Sequence, residues 1–512
     1  MLDLLLRSCL KNRLAPFVLA AVLACGGWYA FSQLTVEAFP DPTDTQVQII
    51  TLFSGQPTEE VERRVSIPLE RVLNGIPGLF RQRSVSLFGL SFVTLTFNDG
   101  VDPRLARQQV LERIAQAELP EGVQPGLGPM ATPIGEVYRY TLDGGGADPM
   151  TLRTLQDWQV RPQILQVQGV ADVVSYGGLL KEFHVEPDPT RMASLNVGLQ
   201  DVFEALKKAS DNASGGYLER GAEMFVIRSL GIFRDLGDIE QVRVAWHHGV
   251  PVTVKDVATV RVGYAPRQGV VSRDANEDAV EGIVLMRRGE NPSVVLAALR
   301  DKIGDINGRI LPKGIAVTPF YDRTELVDTT LHTVFHNLVE GAFLVVLVLF
   351  LFMLSVRASL IVAAVIPLSL LASFLYLHLR GLSANLLSMG AVDFGIIVDG
   401  AVILVEHLFH RAATQGAADH GAAAHGAAAE TLEARILGAA REVAKPTLFS
   451  LLIIIAAYIP IFSLQRVEGR IFSPMANTVV SALVGALLVS FTLVPVLSLY
   501  ALRNARPLRE SP

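Results

Sequence analysis

The sequence predicts an α+β membrane protein, with a six-helix transmembrane bundle and a large outer region of ferredoxin-like βαββαβ units, one of which holds an inserted domain. Half of the 512 residues are hydrophobic, only 18% are charged, and the mean hydropathy is +0.38. This composition is typical of an integral membrane protein with a sizeable soluble part. Six apolar runs approach or exceed the roughly 20 residues that a helix needs to cross a bilayer, at about 14–34, 335–354, 359–379, 385–409, 446–464 and 475–500.

The basic residues of the short loops indicate how these spans are oriented. Lys and Arg cluster before the first span, between the fourth and fifth spans, and after the sixth. Because such residues stay on the cytoplasmic side, both termini are expected there and residues 35–334 are expected outside, which in a bacterium means the periplasm. A signal peptide is the alternative for the first span, but its apolar run continues past Cys25 to Phe31, which favours an uncleaved helix.

Strand and helix patterns divide the outer region into repeated units. A strand at 46–53, a helix at about 57–73, two further strands and a second helix follow the order of a ferredoxin-like unit. A second copy begins at Glu136, is interrupted, and resumes near residue 279. The predicted domains are therefore 1–34, 35–135, 136–181 together with 273–334, the insert 182–272, the spans 335–500 with a cytoplasmic loop at 410–445, and a tail at 501–512.

The fourth apolar run contains three carboxylates, Asp393, Asp399 and Glu406. An acidic residue facing lipid at mid-membrane costs roughly 2.5–3.5 kcal/mol, so these side chains are expected to face protein or water. On a helix, Asp399 and Glu406 would lie within about 20° of each other and two turns apart. Because carboxylates can bind and release protons, they are candidates for a proton relay; polar contacts within the bundle are the alternative. Gly395 and Gly400 would allow neighbouring helices to approach closely.

Several function classes are disfavoured by composition and motifs. The net charge of −6 and the lack of a basic patch with aromatic residues disfavour nucleic-acid binding. The two cysteines lie within the first 25 residues, so no disulfide or thiolate metal site is expected in the outer region. There is no Ser-His-Asp set, phosphate loop or nicotinamide fingerprint, so neither an enzyme, a cofactor nor direct ATP drive is expected. Ala412–Glu430, rich in Ala, Gly and His, is expected to be a solvated linker.

A set of short motifs resembles the resistance-nodulation-division (RND) exporters, and specifically the N-terminal half of their heavy-metal efflux branch. The segment from Asp393 to Glu406 is similar to the fourth-span signature of the cobalt-zinc-cadmium type. Further motifs of the resemblance are Phe39-Pro40-Asp41, Gly55-Gln56-Pro57-Thr58-Glu59-Glu60-Val61-Glu62, Asn74-Gly75-Ile76-Pro77-Gly78, Thr132-Pro133-Ile134-Gly135-Glu136, Gly169-Val170-Ala171-Asp172, Tyr321-Asp322-Arg323, Lys445-Pro446, Val467-Glu468-Gly469-Arg470 and Thr492-Leu493-Val494-Pro495-Val496-Leu497.

The resemblance implies a homotrimeric proton antiporter of the inner membrane, working with a periplasmic adaptor and an outer-membrane channel. It implies that Asp393, Asp399 and Glu406 carry protons, that the ferredoxin-like units are porter subdomains, and that the insert is a docking domain. The substrates would be divalent cations such as zinc, cobalt, cadmium or nickel.

Two acids of the outer region are candidates for the path of the cation. Glu136 follows Thr-Pro-Ile-Gly, and Asp172 begins a strand after Gly-Val-Ala; both stand where the family exposes residues to its substrate cleft. Divalent metals of this group accept carboxylate ligands. The alternative is that both are ordinary strand-end acids in water. No tight ligand spacing is present, so a structural metal site is not expected.

Two departures from the family leave alternatives open. The chain has half the usual length, so it would be a fragment, a truncated product, or one subunit of a split pump that needs a separate C-terminal half. His407 stands where the family usually has Asn. The alternative functions are a membrane assembly or translocation subunit of the same superfamily, or an exporter of copper, silver or hydrophobic drugs.

Overall fold

Two helices and a short strand open the chain. A computed structural model describes residues 2–34, 36–37, 40–144, 146–210, 214–221, 223–228, 231–247, 249–267, 269–274, 277–353, 355–390, 393–422 and 431–502. The first helix is amphipathic: Leu6 and Leu10 are buried against the main apolar core, whereas its charged residues Asp3, Arg7 and Lys11 are exposed. The opening elements are α1 (Leu2–Lys11), α2 (Leu14–Gln33) and β1 (Val36–Glu37).

The first outer unit is a four-stranded antiparallel sheet covered on one face by helices. Val47 and Ile49 alternate with more exposed residues along its first strand and enter a core that the helices complete. Its elements are β2 (Gln46–Leu52), α3 (Thr58–Val61), α4 (Ile67–Leu73), β3 (Leu79–Leu87), β4 (Leu90–Phe97), α5 (Pro103–Ile114) and β5 (Pro125–Leu127). The strand order is β3-β4-β2-β5.

The second outer unit repeats this arrangement around an insertion. The part before the insertion contains β6 (Glu136–Gly144), α6 (Pro149–Leu155), α7 (Arg161–Ile164) and β7 (Val170–Gly177), and the part after it contains β14 (Val280–Met286), α12 (Pro292–Asp305) and β15 (Ile315–Asp322). The insertion contains β8 (Lys181–Pro187), α8 (Pro189–Ser194), α9 (Leu199–Ala209), β9 (Ser214–Arg220), β10 (Glu223–Arg228), α10 (Leu236–Glu240), β11 (Arg243–His247), β12 (Val250–Thr253), α11 (Val254–Val257) and β13 (Ala258–Tyr264). The sheet order is β15-β6-β14-β7, which matches the first unit strand for strand. Within the insertion, β8 pairs with β13, β9 with β10, and β11 with β12.

The first helix of each unit contains the same irregularity. A π turn at Glu62–Ser66 separates α3 from α4, and another at Gln156–Val160 separates α6 from α7. Pro68 and Pro162 each lie two residues beyond the π turn. Because proline lacks an N–H and crowds the preceding turn, a π turn just before it lets the helix continue. The shared feature strengthens the case that the two units are structural repeats.

Long apolar helices follow the second unit. They are α13 (Arg323–Met353), α14 (Val356–Leu379), the short pair β16 (Ala384–Asn385) and α15 (Leu386–Gly390), then α16 (Phe394–Ala422), α17 (Leu432–Phe462) and α18 (Arg466–Leu502). Within the described ranges, six helical segments are long and apolar enough to cross a membrane. Glycine permits the closest contacts: a Cβ on Gly27 would lie 2.5 Å from the Leu371 carbonyl oxygen, and one on Gly485 would lie 2.7 Å from Ala372. Such small-residue contacts are typical of membrane bundles.

Two predicted boundaries near the end of the chain are wrong. The cytoplasmic helix at 430–445 and the span at 446–464 form one helix, α17, which passes through Pro446 at the loss of one backbone hydrogen bond. The linker predicted at 412–430 is helical as far as Ala422, since alanine has the highest helix propensity. The remainder of that linker, 423–430, lies outside the described residues.

Candidate functional site

Asp399 and Glu406 lie on one exposed stripe of α16. Their neighbours Val398, Ala401 and Val405 are at most 3% exposed and pack into the bundle core, whereas both acids are exposed. They lie seven positions apart along the helix, a rise of about 10.5 Å. Both carboxylates are therefore on a helix face that the other described residues leave uncovered.

The two glycines beside these acids have different surroundings. A Cβ on Gly400 would lie 3.0 Å from Thr447 Cγ2 and 3.1 Å from Leu451 Cδ1, so α17 packs closely against α16 there. At Gly395 the nearest atom is instead the Asp393 carboxylate, at 3.1 Å. The predicted close helix approach is therefore seen at Gly400, and no neighbouring helix accounts for Gly395.

Asp393 does not lie inside a helix, contrary to the continuous span predicted over 385–409. The described residues place it immediately before α16, where its Oδ1 accepts a hydrogen bond from the backbone N–H of Gly395 at 2.8 Å. This is the geometry of a helix N-cap, in which a short acidic side chain satisfies an N–H that has no helical partner. Asp393 thus has a local structural role at the start of α16.

The relay candidates and His407 differ in their contacts. Within the described part of the chain, neither Asp399 nor Glu406 forms an ion pair with Lys or Arg. His407 instead lies 3.0 Å from a carboxylate oxygen of Glu442 on α17, which also pairs with Arg411. The residue that departs from the family motif therefore joins α16 to α17.

Glu136 and Asp172 lie on the open face of the second sheet. Glu136 on β6 and Asp172 on β7 are both paired with Leu285 of β14, the strand between them. Directly opposed residues point to the same face, and two strand spacings separate their backbones by about 10 Å. The fold therefore brings these two acids to one surface without bringing them into contact.

Arginine side chains accompany both acids. Glu136 pairs with Arg139, and Asp172 lies 2.9 Å from Arg161 Nη2. Arg139 also reaches Glu281 of β14, at 3.7 Å from Nη1 to Oε1. Burial raises the pKa of Glu281, the Arg139 charge opposes this rise, and the Glu136 charge adds to it.

Glu281 is a candidate site residue that sequence reasoning missed. It is the acidic exception in an otherwise apolar strand pattern, Ala-Val-Glu-Gly-Ile-Val-Leu-Met. That exception was the available signal, but its meaning depends on β14 lying between β6 and β7. Only this pairing brings Glu281 beside Arg139 and Glu136.

A cavity of about 540 Å³ opens beside this group. Glu136, Arg139, Tyr321 and Arg323 contribute to its wall. Arg323 is only 4% exposed and donates a hydrogen bond to the carbonyl of Ile134. Across the described residues, no three His, Cys, Asp or Glu side chains are grouped closely enough to hold a metal. The cavity therefore gives solvent access to one carboxylate, that of Glu136, which already has an arginine partner.

These features define a multi-pass membrane protein with two structural repeats and carboxylates in its fourth span. The sequence profile of the AcrB/AcrD/AcrF family, a family of RND transporters, matches residues 5–511. The chain belongs to this family.

The similar proteins are metal resistance and efflux proteins. Protein HelA of Legionella pneumophila is 41% identical over 507 residues, which cover 97% of this chain and 47% of HelA. The cobalt-zinc-cadmium resistance protein CzcA of Cupriavidus metallidurans is 41% identical over 491 residues, covering 93% of this chain and 46% of CzcA. A crystal structure of a heavy metal efflux pump is 43% identical with a TM-score of 0.86, covering 96% of this chain and 48% of the pump. The chain thus spans about half the length of these relatives.

Proposed function

We propose that this chain exports divalent heavy-metal cations in exchange for protons, as part of an inner-membrane pump rather than as an enzyme. The observation that carries the proposal is the pair Asp399 and Glu406, two carboxylates without a Lys or Arg partner among the described residues, on one stripe of an apolar helix. A permanent ion pair would hold such groups charged, whereas unpaired groups can bind and release protons. The relatives supply the substrate class, since several of them are named for cation efflux or for cobalt, zinc, cadmium or nickel resistance.

The proton step is assigned to Asp393, Asp399 and Glu406. Facing lipid, each would cost roughly 2.5–3.5 kcal/mol, so protein or water must cover their stripe in the working pump. Relatives of about twice the length support a second set of helices as the cover of this stripe. Each proton that moves inward across a membrane potential of about 100 mV supplies about 2.3 kcal/mol, in addition to the free energy from the pH difference across the membrane.

The cation path is assigned to the open face that carries Glu136 and Asp172. Carboxylate oxygen is one of the ordinary protein ligands of Zn²⁺. Relatives at 41% and 37% identity are named for cobalt, zinc, cadmium and nickel resistance, which supports the divalent class. In this proposal residues 35–135 and 136–181 with 273–334 are porter subdomains in the periplasm, residues 182–272 are a docking domain, and both termini are cytoplasmic.

The proposed assembly is a homotrimer with a periplasmic adaptor and an outer-membrane channel. Its support is the β9–β10 hairpin, which pairs only with itself among the described strands. Tyr217, Phe225 and Val226 are 48–71% exposed on this hairpin. An isolated two-stranded hairpin is marginally stable in water, so contact with a neighbouring subunit accounts for its apolar surface.

Metal tolerance in an efflux-deficient bacterium tests the proposed function. The chain is expressed alone and together with the C-terminal half of CzcA, in wild-type form, as Asp399→Asn, and as Asp201→Asn, a control in the insertion. We expect zinc, cobalt or cadmium tolerance that Asp399→Asn abolishes and Asp201→Asn preserves. The proposal is wrong if the wild-type chain confers no metal tolerance either alone or with the C-terminal half of CzcA. It is also wrong if Asp399→Asn leaves the tolerance unchanged.

A further inference from the structure

Arg139 lies between two carboxylates on the open face of the second sheet. Its guanidinium pairs with Glu136 on its own strand, and Nη1 lies 3.7 Å from Oε1 of Glu281 on the neighbouring strand. Backbone pairing sets this arrangement, because Glu281 lies opposite Thr141 and Arg139 is two residues away on the same face. A small rotation of one side chain would therefore exchange one carboxylate partner for the other.

The two carboxylates differ in their access to solvent. The Glu136 side chain is 35% exposed and borders the cavity, whereas that of Glu281 is 12% exposed. A cation arriving through the cavity meets Glu136 first. Glu281 is more buried, and a charged carboxylate there is stabilised by a nearby cation such as Arg139.

We propose that Arg139 is an internal counter-cation that occupies the place of the transported metal while the path is empty. This inference rests on the proposed function and adds the means of release. When a divalent cation binds Glu136, the guanidinium moves to Glu281, which keeps that buried carboxylate paired. When the cation leaves, Arg139 returns to Glu136. Competition from the guanidinium weakens cation binding and so favours release, as a transport path requires.

Zinc binding to the purified full chain in detergent, measured by titration calorimetry, tests this role. We expect Arg139→Gln to lower the Kd for Zn²⁺ on the order of tenfold, because a positive charge next to the cation is removed. Arg139→Lys keeps the positive charge beside Glu136 and should therefore bind Zn²⁺ with a Kd within about threefold of wild type. Glu281→Gln should raise the Kd, since the displaced guanidinium then has no second carboxylate.

The control is Arg261→Gln, which breaks a more exposed ion pair with Glu186 in the insertion and should leave the Kd unchanged. Thermal unfolding of each variant checks that it is folded, and structural damage at Arg139 would weaken binding rather than tighten it. If wild type binds Zn²⁺ but Arg139→Gln binds equally or more weakly, the inference is wrong and the proposed function stands. If wild type does not bind Zn²⁺, the inference is wrong, and if it also confers no tolerance, the proposed function fails as well.

Discussion

Arg470 at the start of α18 pairs with Asp99 of the first outer unit and joins that unit to the membrane bundle. The same guanidinium lies 3.0 Å from Asp44 and donates to the carbonyl of Pro42 at 3.2 Å. The backbone N–H of Arg466 donates to Asp99 at 2.7 Å. Two carboxylates and a carbonyl thus contact the planar guanidinium of Arg470. Movement of α18 is therefore transmitted to the sheet unit through direct contacts.

Arg470→Lys should weaken this joint although the charge is kept. An ammonium group cannot reproduce the forked contacts to Asp99, Asp44 and Pro42, and hydrogen bonds to charged groups contribute about 1.5–3 kcal/mol when well formed. With both carboxylates partly exposed, we expect a loss of about 1–2 kcal/mol of stability, together with reduced metal tolerance. Thermal unfolding and tolerance assays measure both effects. Arg309→Lys, at a highly exposed ion pair, is the matched control; equal behaviour of the two variants would contradict the prediction.

The same joint should weaken in acid. The hydrogen bond from the Arg466 backbone and the charge of Arg470 lower the pKa of Asp99 below its usual 3.8. A carboxylate whose pKa is lower in the folded protein adds stability above its unfolded pKa, and this stability is lost as the pH falls through the folded value. Asp99→Asn should therefore lower the melting temperature at pH 6, and the difference from wild type should shrink below about pH 4. A constant difference over that range would show that Asp99 does not act through its charge.

The sequence predicted the element order of both sheet units because their apolar residues alternate along strands and because proline and acidic residues mark the helix starts. The helix of the first unit was predicted over 57–73, and the structure has helical residues from Thr58 to Leu73. Such local signals do not report contacts between distant segments. The joint at Arg470, the pairing of β1 with β16, and the position of Glu281 all depend on residues far apart in the chain.

The geometry of the candidate relay was likewise only partly predictable from the sequence. The spacing of Asp399 and Glu406 placed them on one helix face, as in the structure. Helical spacing could not show where α16 begins, because Ala391 and Val392 are as apolar as the residues that follow. The cap at Asp393 is therefore a finding of the structure.

Substitutions of Asp393 can separate its cap from its proposed proton role. Asparagine also caps helices, so Asp393→Asn should unfold like wild type, whereas Asp393→Ala should lose about 1 kcal/mol of stability. Because Asn does not titrate, Asp393→Asn should nevertheless abolish metal tolerance if Asp393 belongs to the relay. Thermal unfolding and tolerance assays on the two variants give these answers separately. Full tolerance in Asp393→Asn would assign Asp393 to helix capping alone.

Apolar burial should hold α1 against the bundle more strongly than its ion pairs do. Leu6 is 1% exposed within the core shared with α17 and α18, whereas Asp3, which pairs with Arg441 and Arg7, is at the surface. Leu6→Ala should cost about 2–5 kcal/mol and release α1, as measured by hydrogen exchange of residues 2–11. Asp3→Asn should change exchange little, because exposed ion pairs contribute little. The reverse order of effects would show that electrostatic contacts anchor this helix.

Gly282 on β14 should tolerate no side chain, because Tyr140 of β6 fills the space above it. A Cβ at residue 282 would lie 2.2 Å from Tyr140 Cζ, and that ring is fully buried with its hydroxyl donating to Gln156 at 3.0 Å. Overpacking of this kind costs about 1–3 kcal/mol, so Gly282→Ala should lower the melting temperature of the second unit. Gly304→Ala is the matched control: no atom lies within 4 Å of its added Cβ, and alanine in the helix α12 should add about 0.5–1 kcal/mol. If both variants are destabilised, the loss at residue 282 cannot be assigned to the contact with Tyr140. If Gly282→Ala destabilises the protein and Gly304→Ala stabilises it, the space occupied by the Tyr140 ring is the reason that residue 282 is glycine.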